Sequence, residues 1–271
     1  MAKGMLIDLT RCIGCRGCQA ACKQWNNLPA EMTYNWGSYE NPPRRSARTW
    51  TTVTFHEMAE SDRFAWVFAK RQCMHCEEPA CTAACIVGAL RKTSEGPVVY
   101  DDRRCMGCRY CMMACPFGVP TFEWDKPVPY IRKCTLCADR LAEGMDPACA
   151  KACPTGAIRF GDRETLLEEA RARVQAHPDK YVDHIYGEKE AGGTSILYLS
   201  SVPFDKLGFP ALEPRPMPRY AEVAMASVPP TIVVVSVAMG GIYWVIKRRE
   251  RMREETEVPQ EPERARIREE D

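Results

Sequence analysis

Sixteen cysteines fall in four groups of four with none left over: Cys12, Cys15, Cys18, Cys22; Cys73, Cys76, Cys81, Cys85; Cys105, Cys108, Cys111, Cys115; and Cys134, Cys137, Cys149, Cys153. The spacings are C-x2-C-x2-C-x3-C, C-x2-C-x4-C-x3-C, C-x2-C-x2-C-x3-C and C-x2-C-x11-C-x3-C. Three kinds of cysteine chemistry compete for such a pattern. Cysteines three residues apart are awkward to join locally, and disulfide frameworks serve small secreted domains that lack a core. A tetrahedral zinc site takes two cysteines from each of two separated knuckles. Three cysteines within seven residues, followed by a fourth after three more, match the bacterial ferredoxin run, and proline follows both Cys115 and Cys153 as that run requires. The pattern therefore points to iron-sulfur ligation, and sixteen thiolates at four per cluster give four 4Fe-4S clusters.

The spacing carries a pairing rule. A short loop presents three thiolates and its backbone N–H groups to one cluster, while the fourth cysteine, beyond the loop, points to a second. Two runs thus make two clusters by exchanging fourth ligands. Ala89 to Lys92 and Pro97 to Asp101, separated by the turn-like Thr93-Ser94-Glu95-Gly96, read as a hairpin joining the second and third groups into one module. By elimination the first and fourth groups form the other, framed by apolar strands at Gly4 to Leu9 and Ala157 to Phe160. The expected ligand sets are Cys12, Cys15, Cys18 with Cys153; Cys134, Cys137, Cys149 with Cys22; Cys73, Cys76, Cys81 with Cys115; and Cys105, Cys108, Cys111 with Cys85. All-cysteine coordination leaves no iron open to a substrate, so the expectation is single-electron transfer with no catalytic residue.

The remaining composition removes other classes. Lys and Arg number 37 against 36 Asp and Glu, a net charge of +1, so nothing draws the chain to nucleic acid. Four histidines and no C-x-x-C-H exclude a multihaem protein, and neither a dinucleotide-binding glycine motif nor a P-loop occurs.

Val223 to Ile246, between Glu222 and Lys247, is uncharged over a length that can cross a hydrocarbon core of about 30 Å at about 1.5 Å per residue. A buried core helix is the alternative, but it would be amphipathic. Pro229 and Pro230 suit the first turn of such a span and would disturb its middle. Tyr243 and Trp244 lie beside the basic stretch Lys247 to Arg253, as a membrane boundary prefers. That stretch predicts a cytoplasmic C-terminus and an iron-sulfur domain outside the inner membrane, with the opposite orientation left open. Met1 to Asp8 carries no secretory or twin-arginine signal, so export is expected to rest on a partner's signal.

The fold class expected is α+β: two ferredoxin-like two-cluster modules, one nested in the other, plus a C-terminal transmembrane helix. Residues 1–30 with 125–161 form the outer module, 31–70 an insertion, 71–124 the inner module, 162–222 a helix and a proline-rich arm, 223–246 the span, and 247–271 a basic stop and an acidic, disordered tail. Residues 24–70 hold Trp25, Trp36, Trp50 and Trp66, expected as packing core, with a contact face for a larger subunit as the alternative. Leu166, Leu167, Ala170 and Val174 predict an amphipathic helix over 162–175, and Ile196 to Leu199 a short strand. Arg16, Lys23, Arg109 and Lys133 stand next to cysteines and could raise reduction potentials, although most such charges are merely solvated. His75 is expected to be exposed or satisfied, with donation to a cluster sulfur as the sharper reading.

The four groups, in this order and with the x4 and x11 gaps, resemble the four-cluster electron-transfer subunits of membrane-bound molybdenum and tungsten oxidoreductases. Ile7 to Asn26, Gly37 to Pro43 and Tyr186 to Tyr198 are most similar to the beta subunit of respiratory formate dehydrogenase. A related subunit of membrane-bound nickel-iron hydrogenases shares the anchor helix. The resemblance implies a catalytic alpha subunit with a molybdenum or tungsten bis-pterin site and a cytochrome b gamma subunit in the lipid bilayer. It also implies that the Cys12 cluster lies nearest the catalytic subunit and the Cys105 cluster nearest the haem. Some nitrate-reductase relatives carry tryptophan at the second cysteine of the third group and hold a 3Fe-4S centre there; Cys108 implies 4Fe-4S here.

Overall fold

The computed structural model describes residues 2–35, 37–60 and 63–256, and the chain divides into two units, Met1–Tyr220 and Ala221–Asp271. The elements in chain order are β1 Lys3–Asp8, α1 Gly17–Trp25, β2 Thr52–Glu60, β3 Arg63–Arg71, α2 Ala80–Ala83, β4 Leu90–Lys92, β5 Val98–Tyr100, α3 Tyr110–Ala114, β6 Thr121–Phe122, β7 Ile131–Arg132, α4 Ala138–Ala142, α5 Ala148–Lys151, β8 Ile158–Asp162, α6 Arg163–Ala176, β9 Ile196–Leu199 and α7 Met217–Thr256. Helices and strands are thus mixed, and four of the helices span only four or five residues around cysteines.

The first unit is organised on β1. It pairs antiparallel with β8, Met5 opposite Phe160, and parallel with β9, Met5 opposite Ile196. Strands alternate their side chains between faces, and β1 buries both. Met5 and Ile7 join a core with Cys18, Leu136 and Cys149, while Leu6 packs with Leu166, Leu167, Ala170 and Val174 of α6. That explains the nearly continuous apolar run from Met5 to Leu9. Asp8, 1% exposed, is held by Arg173 Nη1 at 3.0 Å and by Tyr181 Oη, which donates at 2.9 Å. The framing strands, α6 and the short strand β9 all occur where the sequence predicts them.

The expected hairpin is β4–β5, with Leu90 opposite Tyr100. Its turn is tied to the other end of the chain, because Lys3 N–H donates to Glu95 O at 2.8 Å. Ile131 N–H donates to Tyr100 Oη at 3.3 Å, which links β7 to the same hairpin.

Residues 31–70 depart from the sequence reading. β2 and β3 form a two-stranded antiparallel ribbon, Thr52 opposite Arg71 and Phe55 opposite Phe68. The packing-core expectation fails for Trp25 and Trp66, which are 38% and 42% exposed, while Trp50 is partly buried beside Cys73 and Cys134. Trp66 makes edge-on or tilted ring contacts with Tyr39, Phe55 and Phe68. Trp36 lies outside the described residues.

Residues 203–218, expected as an extended proline-rich arm covering the cluster domain, do pack on it: Phe204, Leu207 and Phe209 are buried, and Phe204 and Phe209 pack on Tyr186. α7 begins earlier than expected. Pro218 occupies its first turn, so Pro229 and Pro230 fall inside the helix rather than at its start. Residues 217–228 contain no helix breaker beyond Pro218, which lets the helix start there. The second unit contains one helix long and apolar enough to cross a membrane. The acidic tail expected to be disordered lies, from residue 257 on, outside the described residues.

Candidate cluster-binding sites

Each cysteine loop uses the same backbone device. The residue before the second cysteine has positive φ in all four groups: Gly14 (+67°), His75 (+48°), Gly107 (+74°) and Leu136 (+56°). This turn curls the loop so that its N–H groups face inward. Gly107 N–H donates to Cys105 Sγ at 3.4 Å and Leu136 N–H to Cys134 Sγ at 3.4 Å. Glycine accommodates the turn in two groups. In the other two, tertiary burial holds a non-glycine residue there, with His75 0% and Leu136 1% exposed.

The C-x3-C spacing acts through helix geometry. Four residues rise about 6 Å along a helix, so Cys18 and Cys22 on α1 can serve two neighbouring sites instead of one. Cys12, Cys15, Cys18 and Cys153 line one cavity, together with Lys70 and Val53. Cys22, Cys134, Cys137 and Cys149 line a second, with Trp50 and Gln72. Cys76 lies in the field of Cys73, Cys115 and Cys81, and Cys111 in that of Cys85, Cys105 and Cys108. The members of two expected sets thus line common cavities, and those of the other two lie within one another's electrostatic reach.

The donor chemistry fits 4Fe-4S clusters: four sulfurs line a cavity at the first and second sets, and backbone N–H groups point toward the sulfurs of Cys85, Cys105 and Cys134. A single tetrahedral ion needs its sulfurs about 2.3 Å from one point. Among the described residues no three His, Cys, Asp or Glu side chains converge that closely. Burial pushes the thiols of Cys18 and Cys111 up to about 11 and those of Cys22 and Cys81 up to about 12. Iron must therefore displace protons as it binds. Cys153 goes the other way: burial opposes ionisation, but hydrogen bonds from the Ile158 backbone and Thr155 outweigh it and lower the value.

Exposure differs along the series. Cys15 and Cys108 are exposed, whereas Cys22, Cys134, Cys137 and Cys149 are all buried. Cys73 and Cys134 share one apolar cluster with Cys115, which joins the second and third sites. Exposed apolar side chains surround the two open loops: Ile13 (58%) near Cys15, and Met106 (62%), Tyr110 (59%) and Met113 (86%) around Cys108.

The charged neighbours named from sequence also make specific contacts of their own, and the charge of Lys133 reaches Cys81. Arg16 stacks over Phe55 and Arg109 over Phe122 and Trp124. Lys23 Nζ donates to Pro29 O and Arg48 O, holding the loop after α1. Lys133, 3% exposed, donates to Val98 O and to Cys134 O. His75 is buried, not exposed; its Nδ1 accepts from Val98 N–H at 2.9 Å, while Nε2 has no partner among the described residues. Lys70 was not found from sequence, because it stands outside every cysteine run in a segment where no strand was expected.

Comparisons with known proteins agree with this geometry. Two 4Fe-4S dicluster domain families match, one over residues 11–89 and one over 64–163. A protein of Nitratidesulfovibrio vulgaris is 43% identical over 259 residues, covering 94% of this chain and 70% of its own length. The iron-sulfur subunit of the nitrate-inducible formate dehydrogenase of Escherichia coli K12 is 41% identical over 197 residues, 72% of this chain and 66% of that subunit. This chain therefore spans about two thirds of that relative's length. The hydrogenase-2 operon protein HybA of Escherichia coli O157:H7 is 37% identical over 242 residues, 78% of this chain and 73% of its own.

Proposed function

This chain belongs to the family of 4Fe-4S electron-transfer subunits that includes the iron-sulfur subunits of formate dehydrogenases, and from that premise we propose that it relays electrons from a formate dehydrogenase catalytic subunit to a membrane cytochrome b and quinone. The observation that carries the reading is the exposure of Cys15 and Cys108 at two separate loops, with the second set of cysteines buried. A relay needs one open end for its donor, one for its acceptor and a shielded interior.

The clusters supply stepwise acceptance and release of single electrons. Cys12, Cys15, Cys18 and Cys153 hold the first; Cys22, Cys134, Cys137 and Cys149 the second; Cys73, Cys76, Cys81 and Cys115 the third; and Cys85, Cys105, Cys108 and Cys111 the fourth. α1 and α5 connect the first two sets, the Cys73–Cys134 contact connects the second to the third, and α2 and α3 connect the last two. The order is linear, the modules are nested, and the chain performs no catalysis of its own. The catalytic subunit, with its molybdenum or tungsten bis-pterin site, docks at the Cys15 loop, and the cytochrome at the Cys108 loop. Residues 223–246 anchor the chain in the inner membrane, and the basic residues Lys247 to Arg253 keep the C-terminus cytoplasmic.

A second reading, the same relay in a nickel-iron hydrogenase, is favoured by the greater share of HybA that aligns. The test is to purify the chain with its native partners and assay formate against hydrogen as donor. Formate-driven quinone reduction is expected; a nickel-iron partner and no response to formate would select the second reading. Iron and acid-labile sulfide in equal amounts, four of each per four cysteines, are expected in either case.

A further inference from the structure

Lys70, at the end of β3, is 1% exposed, and its Nζ has no hydrogen-bond partner among the described residues. An ammonium buried in this way is costly unless charge nearby compensates it. The two other inward lysines are differently placed: Lys133 donates to two backbone carbonyls, and Lys92 to His75 O, Glu77 and Ser195 Oγ. Lys70 instead lines the cavity of Cys12, Cys15, Cys18 and Cys153. Its charge is coupled electrostatically to Cys18, Cys149 and Cys134 and to Tyr198. Cys18 belongs to the first set, and Cys149 and Cys134 to the second, so the ammonium lines the first site and its field reaches the second. Its backbone is pinned there, because Tyr198 Oη donates to Lys70 O at 3.0 Å and Val53 pairs opposite it.

We infer that Lys70 is a fixed positive charge shared by the first and second clusters, raising both reduction potentials together and keeping that step of the relay level. The inference rests on the cluster assignment above. Each one-electron reduction adds negative charge inside a poorly screened interior, where a nearby cation stabilises the reduced form. A cation whose field reaches two sites acts on both, whereas one beside a single site would pull their potentials apart.

The test is potentiometric titration, followed by electron paramagnetic resonance, of the full chain purified with its native partners, as wild type, Lys70→Met and Lys70→Arg. In Lys70→Met, two of four clusters become harder to reduce by about tenfold or more in their reduced-to-oxidised ratio, some 59 mV for a one-electron couple. The other two do not move, and Lys70→Arg restores the first pair. Adding Cys108→Ser alters one of the unmoved signals and so assigns the pairs. Four unchanged potentials in Lys70→Met, or equal shifts in Met and Arg variants, would overturn the inference. If Lys70→Met loses two clusters by iron and sulfide analysis while Lys70→Arg keeps four, the charge is needed to hold them, which supports it. Loss from both variants would assign Lys70 to packing and overturn it. A wild type without four clusters would instead defeat the cluster assignment itself.

Discussion

Glu123 shows how one buried charge holds a connection between cluster sites. It is 6% exposed, and its carboxylate accepts from Lys126 Nζ at 2.7 Å, Arg132 Nε at 3.0 Å and Tyr130 N–H at 3.2 Å. These bonds close β6 on β7, two residues before Cys134. Burial by itself would raise the carboxyl pKa, but the Lys126 and Arg132 bonds outweigh it and hold it below 4.5. The folded value lies below the unfolded one, so the stabilisation is complete above about pH 4.5 and is lost as pH falls through the folded value. Glu123→Gln should cost about 2 kcal/mol, as expected for hydrogen bonds to a charged group. Thermal bleaching of cluster absorbance measures it: the gap between the two proteins should stay constant from pH 8 to 5.5, and a gap already closing between pH 8 and 6 would contradict the assignment. At this scale the sequence showed the sixteen sulfurs and their grouping, because ligand spacing is local. It did not reveal the left-handed turns at His75 and Leu136, where burial holds residues that carry no turn signal, nor Lys70, whose role depends on a strand pairing seventeen residues away at Val53.

Gly96 joins two elements that sequence places far apart. Its φ of +113° is open only to glycine, and a Cβ there would meet Lys3 O and N at the start of β1. The turn of β4–β5 thereby packs on the strand that organises the opposite end of the unit. Gly144, after α4, has φ of +72° with nothing near its would-be Cβ. Gly144→Ala should cost about 1 kcal/mol, the left-handed penalty alone, while Gly96→Ala should cost about 3 kcal/mol or more, near the upper end for stored backbone strain. Denaturant midpoints of the two variants check the comparison, and equal losses would show that the Lys3 contact carries no energy. The hairpin, α6 and β9 were legible because their periodicity and turn residues sit within a few positions of one another. The β2–β3 ribbon was not, since its Thr, aromatic and charged residues alternate without a polar face. α7 was misjudged at its start, where Pro218 serves the first turn and leaves Met225 and Ala226 carbonyls without the partners that Pro229 and Pro230 cannot supply.

For the whole first unit, the decisive property is that Cys15 and Cys108 are exposed on separate loops while Cys22, Cys134, Cys137 and Cys149 are all buried. An electron relay with this layout is only as fast as its slowest contact, so damage at one open end should separate reactions that the intact chain couples. Cys108 is the exposed member of the set with Cys85, Cys105 and Cys111. Serine at this position replaces one thiolate ligand with a weaker oxygen ligand while Cys85, Cys105 and Cys111 stay in place. Cys108→Ser in the intact complex should lose or convert one cluster, seen as reduced iron and an altered resonance signal. Quinone reduction should fall by about tenfold or more, equivalent to some 1.4 kcal/mol of added barrier. Formate oxidation with an artificial acceptor that takes electrons at the catalytic subunit should continue at close to its original rate, because the proposed function puts that reaction in the partner. Cys15→Ser should differ: it interrupts the relay next to the donor, leaving the three remaining clusters oxidised when formate is added, whereas in Cys108→Ser the clusters ahead of the break should fill with electrons. If both variants left the same clusters reduced, the linear order from the Cys15 loop to the Cys108 loop would be wrong, and electrons would have to enter the chain between its buried sites.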